Sequence, residues 1–192
     1  MEALKKKILA EGEVYEGNIL KVDCFLNHQI DCKFLTEVGK EFYRLFKEDG
    51  VNKILTIESS GIAIGAMVAQ KFECPLVFAK KNKTKNIAGD VYTSKVYSYT
   101  HDRYYDIMVS KRFLNEGDRV LIVDDFLAKG NALKGLIELV KESGATLVGC
   151  GSVIEKGYQR GGDELRQQGI KVESLAIVEA MDHTTGEVVF RD

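Results

Sequence analysis

An α/β fold, with a mostly parallel sheet flanked by helices, is what this sequence predicts, and three observations predict it. Short apolar runs of strand length recur along the chain, among them Lys53 to Ile57, Val120 to Val123 and Thr146 to Ile154. A polar, glycine-bearing exit follows each run, and after the exit the apolar residues return at helical spacing or the sequence turns charged. Strands that alternate with helices give a parallel sheet with right-handed crossovers and helices on both faces. Ligands of such sheets bind outside the carboxyl ends of the strands, so the exits ESSG, DDFLAKG and EKGYQR are expected to converge on one edge.

Taken in order, Ala3 to Ala10 forms a short helix that Gly12 to Gly17 breaks. The segment Ile19 to Asp31, ILKVDCFLNHQID, carries Leu20, Val22, Phe25 and Leu26 without clean periodicity, which suggests a packed loop or hood. Phe34, Leu35, Val38, Phe42, Leu45 and Phe46 then mark an amphipathic helix with Asp31 as its cap and an end near Gly50. Lys53 to Ile57 reads as a strand, Ile62 to Phe72 as a helix and Pro75 to Ala79 as another strand. A lysine run follows at Lys80, Lys81, Lys83 and Lys85, either a solvated loop or a clamp for an anion. Val91 to Thr100 and Tyr104 to Ser110, rich in tyrosine and valine, read as two paired strands. With its basic preface this hairpin is a candidate flap, so residues 80–110 are expected to be flexible. After the strand at Val120 comes a helix from about Asn131 to Lys141 closed by Gly144, then the strand Thr146 to Ile154, a charged helix near Asp163 to Gln168, a strand near Val172 to Val178 and a weak last strand at Glu187 to Phe190.

At 192 residues, with 45% hydrophobic and 29% charged residues, the chain can bury one sizeable core. One proline and no low-complexity linker leave residues 1–192 as one expected domain, with 1–50 as N-terminal hood and helix. A formal net charge of -2 argues against global electrostatic binding of nucleic acid. No run approaches membrane-spanning length, the N-terminus has charges interleaved through it, and a cytoplasmic location is expected. Cys24, Cys32, Cys74 and Cys150 lack the paired spacing of a zinc site and read as reduced, small apolar residues. His28, His101 and His183 are scattered without partners for nucleophilic or metal chemistry. A phosphate-binding P-loop motif is absent, and GCGSVI at Gly149 to Ile154 lacks the third glycine of a dinucleotide fingerprint and lies inside a strand.

The most informative stretch is Val120 to Leu133, VLIVDDFLAKGNAL. Its four apolar residues suit a strand buried on both faces, and the carboxylates of Asp124 and Asp125 are expected to end it. Neighbouring side chains alternate faces along a strand, so both acids reach one ligand only if the chain leaves the strand there. Ala128, Lys129, Gly130 and Asn131 supply a small turn into a helix, where backbone N–H groups and the positive end of the helix dipole suit a phosphate. Carboxylates accept hydrogen bonds from vicinal hydroxyls. The stretch therefore reads as a ribose phosphate site with a divalent cation nearby.

These residues resemble the phosphoribosyl-pyrophosphate (PRPP) motif of the type I phosphoribosyltransferases. The departures are Lys129 and Ala132, where many members carry threonines, so backbone N–H groups take more of the phosphate here. The resemblance implies the type I phosphoribosyltransferase fold with an N-terminal hood and a hairpin flap. It implies Asp124 and Asp125 as the catalytic acids, PRPP contacts from Ala128, Lys129, Gly130, Asn131 and Ala132, and a pyrophosphate loop at Ser59, Ser60 and Gly61. Taken alone, those two serines read as a strand-to-helix turn with Ser as the cap. Mg²⁺ accompanying PRPP and a homodimer are also implied, while the direct metal ligands stay open.

The hood and Glu155-Lys156 resemble the base-binding elements of the xanthine-salvaging branch of the family, which implies base contacts from Leu20, Asn27 and Lys156. Physically, Lys156 offers only donors, which suits an oxopurine and disfavours the amino group of adenine. That leaves guanine and hypoxanthine open beside xanthine. Asn27 can turn its NH₂ toward the 2-oxygen of xanthine, yet an amide can also flip and offer its oxygen to guanine. A non-catalytic sensor of PRPP or purines is the other reading. The regulators of this kind that resemble the family carry a winged helix before the fold, whereas the residues before Lys53 read as a short helix, a hood and a long helix.

Overall fold

In a computed structural model of the protein, residues 1–81, 89–98 and 103–191 are described, the side chains of Ser98 and Arg103 excepted. The first helix, α1 (Glu2–Glu11), buries Leu4 and Ile8. The stretch expected only to break it holds a strand, β1 (Glu13–Tyr15), which pairs antiparallel with β2 (Ile19–Lys21) so that Val14 faces Leu20. A π-helical turn, Asp23–Asn27, follows, so Ile19 to Asp31 is not an irregular loop. Its uneven apolar spacing arises because a three-residue strand hands over to a wider helical repeat, and Leu20, Val22, Phe25 and Leu26 are all buried. In α2 (Cys32–Phe46) the Asp31 carboxylate accepts from the Phe34 N–H at 3.0 Å, and Leu35, Val38, Phe42 and Phe46 are buried at the expected spacing.

The central sheet contains β3 (Lys53–Ile57), β4 (Leu76–Ala79), β7 (Arg119–Leu127), β8 (Thr146–Lys156), β9 (Val172–Met181) and β10 (Val188–Phe190), in the spatial order β10, β9, β8, β7, β3, β4. Only β10 runs antiparallel to its neighbour. Helix α3 (Ser60–Phe72) follows β3, α4 (Asn131–Glu142) follows β7 and α5 (Gly161–Gln167) precedes β9. Leu121 and Val123 face a core shared with the hood, α2 and α3, while Val120 and Ile122 face a second core against α4. Because β3, β7 and β8 are parallel neighbours, their three exits share one edge, as the alternation of strands and helices requires.

Two strand ends differ from expectation. Strand β7 does not stop at Val123 but runs through both aspartates to Leu127, and β8 continues to Lys156. Each sustains the other, since the β7–β8 ladder runs on to Leu127 opposite Glu155, whereas the β3–β7 register ends at Leu55 opposite Ile122. Backbone pairing decides where these strands end, not the first polar side chain.

Strands β5 (Val91–Ser98) and β6 (Arg103–Ser110) pair antiparallel as a separate ribbon. An antiparallel bridge between Lys80 and Met108 joins it to the end of β4. The described part of this hairpin is anchored: Val96, Ile107 and Val109 are buried with residues of α4, and Ser94 donates to Glu138 at 2.6 Å. Of the flap expected to be flexible over 80–110, Lys83, Lys85 and the hairpin tip fall on 82–88 and 99–102, outside the described residues.

Candidate active site

The site grows from the end of β7. Asp124 and Asp125 are 4% and 9% exposed, and each turns one carboxylate oxygen back onto the chain. Asp124 Oδ1 accepts from the Asp125 N–H and Asp125 Oδ1 from the Phe126 N–H, both at 2.9 Å. Strict alternation breaks across this pair: Val123 and Phe126, three apart, pack with one core, and Ile122 and Leu127, five apart, with the other. The chain thus twists at the acids without leaving the strand. Burial and the adjacent Asp125 charge hold the Asp124 carboxyl well above the usual carboxylate range.

Beyond Leu127 the chain turns through Ala128, Lys129 and Gly130 into α4. Gly130 has φ 78°, a left-handed conformation that disfavours a side chain, and it precedes a helix whose first turn has neither an acidic residue nor a side-chain cap. The first N–H groups of α4 are therefore left to a ligand or to water. Phe126 to Leu133, with Val96, Tyr97 and Tyr105 of the hairpin, line a cavity of about 220 Å³. All five residues expected to hold PRPP, Ala128 to Ala132, lie on its wall. Asn131 donates to the Tyr97 carbonyl at 3.1 Å and ties the loop to the hairpin.

On the β3 side, Gly61 lies in the first turn of α3 and faces Asp124. A methyl group placed on it would stand 3.3 Å from Asp124 Oδ1. Ser59 occupies the cap position of α3 without a side-chain capping bond, so the reading of these serines as ordinary caps is not what the structure has. Ser59 is exposed and Ser60 partly so.

The hood meets the sheet edge at two points. Asn27 Nδ2 donates to Asp125 Oδ2 at 2.9 Å, and Lys156 Nζ donates to the Asn18 carbonyl at 2.9 Å. Lys156 also stands 5.6 Å from the centre of the Phe126 ring, and burial lowers its pKa. Leu20 is 5% exposed and belongs to the core beneath the hood. Glu155, which the sequence offered as part of a polar exit, is buried: Arg166 clasps its carboxylate with two nitrogens at 2.7 and 3.0 Å, and Ser174 donates to it as well.

Sequence reasoning passed over Phe126, Tyr97 and Tyr105. Phe126 did carry a signal, an aromatic ring directly after two acids and before a glycine turn, where a core strand would have ended. The tyrosines were recognised only as strand formers, because nothing local says that the hairpin folds against α4.

Among the described residues no group of three or more His, Cys, Asp or Glu side chains is arranged to hold a metal ion. Two buried carboxylates beside an uncapped helix start instead suit a hard cation that arrives with an anionic substrate, since Mg²⁺ commonly binds through one or two carboxylates and substrate phosphates. No helix of the described residues is long and apolar enough to cross a membrane.

The family model of the phosphoribosyl transferase domain matches residues 29–183. The chain is 56% identical over 191 residues to a xanthine phosphoribosyltransferase of Lachnoclostridium phytofermentans, covering 100% of this chain and 98% of that protein. It is 59% identical over 183 residues to xanthine phosphoribosyltransferase 1 of Clostridium perfringens, covering 95% and 96%. Among solved structures, an adenine phosphoribosyltransferase from Giardia lamblia complexed with 9-deazaadenine superposes with a TM-score of 0.69 at 28% identity, over 78% of this chain and 82% of that one. A mostly parallel sheet with its acid pair and glycine turn at the strand ends, matched along nearly the whole chain by these relatives, leaves one assignment: the chain belongs to the phosphoribosyltransferase family.

Proposed function

We infer that this protein is a purine-salvage enzyme that transfers 5-phosphoribosyl from PRPP to xanthine, giving xanthosine 5′-monophosphate and diphosphate. The observation that carries the reading is the cavity itself. One wall is the Ala128 to Ala132 turn at the head of α4, the buried acid pair lies just before it in the chain, and at Phe126 a half-buried lysine stands over the ring. The names of the close relatives support xanthine as the base.

In this reading the turn takes the 5′-phosphate on its backbone N–H groups, and Asp124 and Asp125 accept from the ribose hydroxyls. Positive charge develops on the ribose ring as diphosphate departs, much as in glycoside cleavage, and two carboxylates stabilise that charge. They position and stabilise; neither is asked to remove a proton. Ser59, Ser60 and Gly61 take the diphosphate. Mg²⁺, bound with PRPP and held by the acid pair, would neutralise the departing diphosphate. The Phe126 ring offers a face for the purine, Leu20 backs the base, and Lys156 donates to the oxygen at position 6 and to N7. Asn27 donates to the oxygen at position 2. Adenine would set its amino group against the Lys156 ammonium, two donors face to face. The protein is read as a cytoplasmic homodimer on the family resemblance.

The test is kcat/KM for xanthine, guanine, hypoxanthine and adenine with PRPP and Mg²⁺, in the unaltered protein and in Lys156→Ala. Xanthine should be best, guanine and hypoxanthine weaker, adenine undetectable, and Lys156→Ala should weaken every oxopurine. Turnover should vanish with a chelator. A better rate with guanine or hypoxanthine would overturn the choice of base, and no PRPP-dependent turnover with any base would favour a sensor.

A further inference from the structure

Asp125 sits at a junction that a ribose contact does not explain. Its Oδ1 accepts from the Phe126 N–H at 2.9 Å, and its Oδ2 accepts from Asn27 Nδ2 at 2.9 Å across a sequence separation of 98 residues. The second contact joins the hood to the strand that carries the acids. An ionised carboxylate has acceptors only, so the amide of Asn27 must turn its nitrogen end toward Asp125; the reverse orientation would set two lone-pair-bearing oxygens against each other. The nitrogen end of an amide carries a second N–H. That N–H stays available for another acceptor, and the amide oxygen is directed away.

We propose that Asp125 is a specificity-determining positioning residue, which through its hydrogen bond locks the Asn27 amide so that it presents N–H and not oxygen to position 2 of the purine. This inference rests on the reading in which Asn27 faces that position. Xanthine carries an oxygen there and is matched by the N–H. Guanine carries an amino group there and meets a donor, while hypoxanthine carries only hydrogen and is indifferent. An unlocked asparagine would discriminate little, because its two ends are nearly the same size and it can turn over. Selectivity at position 2 thus comes from a residue that need not touch that position.

The substitution Asp125→Asn is nearly isosteric and reverses the lock. The Phe126 N–H keeps the new amide's oxygen where Oδ1 was, so its NH₂ replaces Oδ2 and confronts Asn27 Nδ2. Asn27 relieves the clash of donors by turning over, which offers its oxygen to position 2. Hypoxanthine measures whatever the substitution does to ribose binding, charge or packing, because it has nothing at position 2 to be read. Relative to hypoxanthine, kcat/KM for xanthine should fall roughly 10-fold and that for guanine should rise, the scale of one hydrogen bond. In an Asn27→Ala background, Asp125→Asn should lower all three bases by one common factor.

The experiment is steady-state turnover with the three bases in the unaltered protein, Asp125→Asn, Asn27→Ala and the double variant. Calorimetric binding of the three product nucleotides reads the same preference at position 2 where turnover is too slow to measure. If the unaltered protein prefers xanthine but Asp125→Asn lowers all three bases equally, the lock is refuted and the xanthine reading stands. If the ratio shifts as much in the Asn27→Ala background, Asp125 does not act through Asn27 and the proposal falls. If the unaltered protein does not prefer xanthine, the choice of base fails and the lock falls with it.

Discussion

Gly61→Ala should damage the protein through one contact that the structure makes measurable. The added methyl would lie 2.0 Å from Thr56 Oγ1 and 3.3 Å from Thr56 Cβ. Thr56 has little room to yield, because it is fully buried, β-branched and donates its hydroxyl to the Val123 carbonyl at 2.7 Å. Either the hydroxyl rotates away and leaves buried polar groups unpaired, at about 1–3 kcal/mol, or α3 is pushed from the sheet at a similar overpacking cost. Urea denaturation should therefore show a loss of roughly 1–3 kcal/mol by whichever route is the cheaper. Since the same methyl crowds Asp124 Oδ1, kcat/KM should also fall under conditions where the variant remains folded. Thr56→Ala removes the obstructing hydroxyl, so the double variant should lose clearly less than the sum of the single losses. A loss within about 0.5 kcal/mol for Gly61→Ala, or strict additivity in the double variant, would refute the steric argument.

Two further substitutions probe the charges around the site. Because the Asp124 carboxyl is held well above the usual carboxylate range by burial and by Asp125, the folded chain keeps its proton more tightly than the unfolded chain. Stability should therefore fall as pH rises from the usual carboxylate range through the raised value. Asp124→Asn cannot ionise and should flatten that fall, making the ligand-free variant the more stable form at neutral pH while kcat/KM drops roughly 10- to 1000-fold; equal pH slopes in urea denaturation would contradict this. Arg166→Ala leaves the buried Glu155 carboxylate with Ser174 as its remaining side-chain partner and should cost about 2–4 kcal/mol, less than a fully buried pair because the Arg166 side chain is 30% exposed. Adding Glu155→Gln should recover much of that loss, and a double variant no more stable than Arg166→Ala would show that the carboxylate charge is not the problem.

The sheet was legible in the sequence because its cues are local: β3 is found at Lys53–Ile57 as read, and Asp31 caps α2 as read. The turn from Ala128 to Gly130 into α4 was legible for the same reason, since a strand, two acids, a glycine and a helix lie within one stretch of chain. What escaped depends on partners distant in sequence. Strand β7 outruns its apolar residues because β8 pairs with it, and β8 ends at Lys156 and not at Ile154 because β9 pairs with it as far as Val178. Glu155 reads as a solvated strand exit until Arg166 and Ser174 are seen to enclose it. The packing of the hairpin was not legible because its anchors, Val96 and Ile107, are valine and isoleucine in strands that could face anything, and the helix they pack on lies later in the chain.

The hood and the sheet edge share a feature that bears on how the site binds without first coming apart. Lys156, Asn27 and Asp125 are each already engaged by a protein partner, yet none of the three is saturated. Lys156 has three N–H bonds and gives one to the Asn18 carbonyl; Asn27 has two on its amide and gives one to Asp125. The Asp125 carboxylate offers about four lone-pair positions, and the Phe126 N–H and Asn27 fill two of them. In the proposed function a purine and a ribose would fill the remaining valences without breaking the bonds that hold the hood in place. The consequence is rigidity before binding: the donors and acceptors are aimed by protein partners, so little side-chain freedom remains to be lost when substrate arrives. In the proposed function a change at Asp125 would then be felt at the base, because its bond to Asn27 ties the acid pair to the hood.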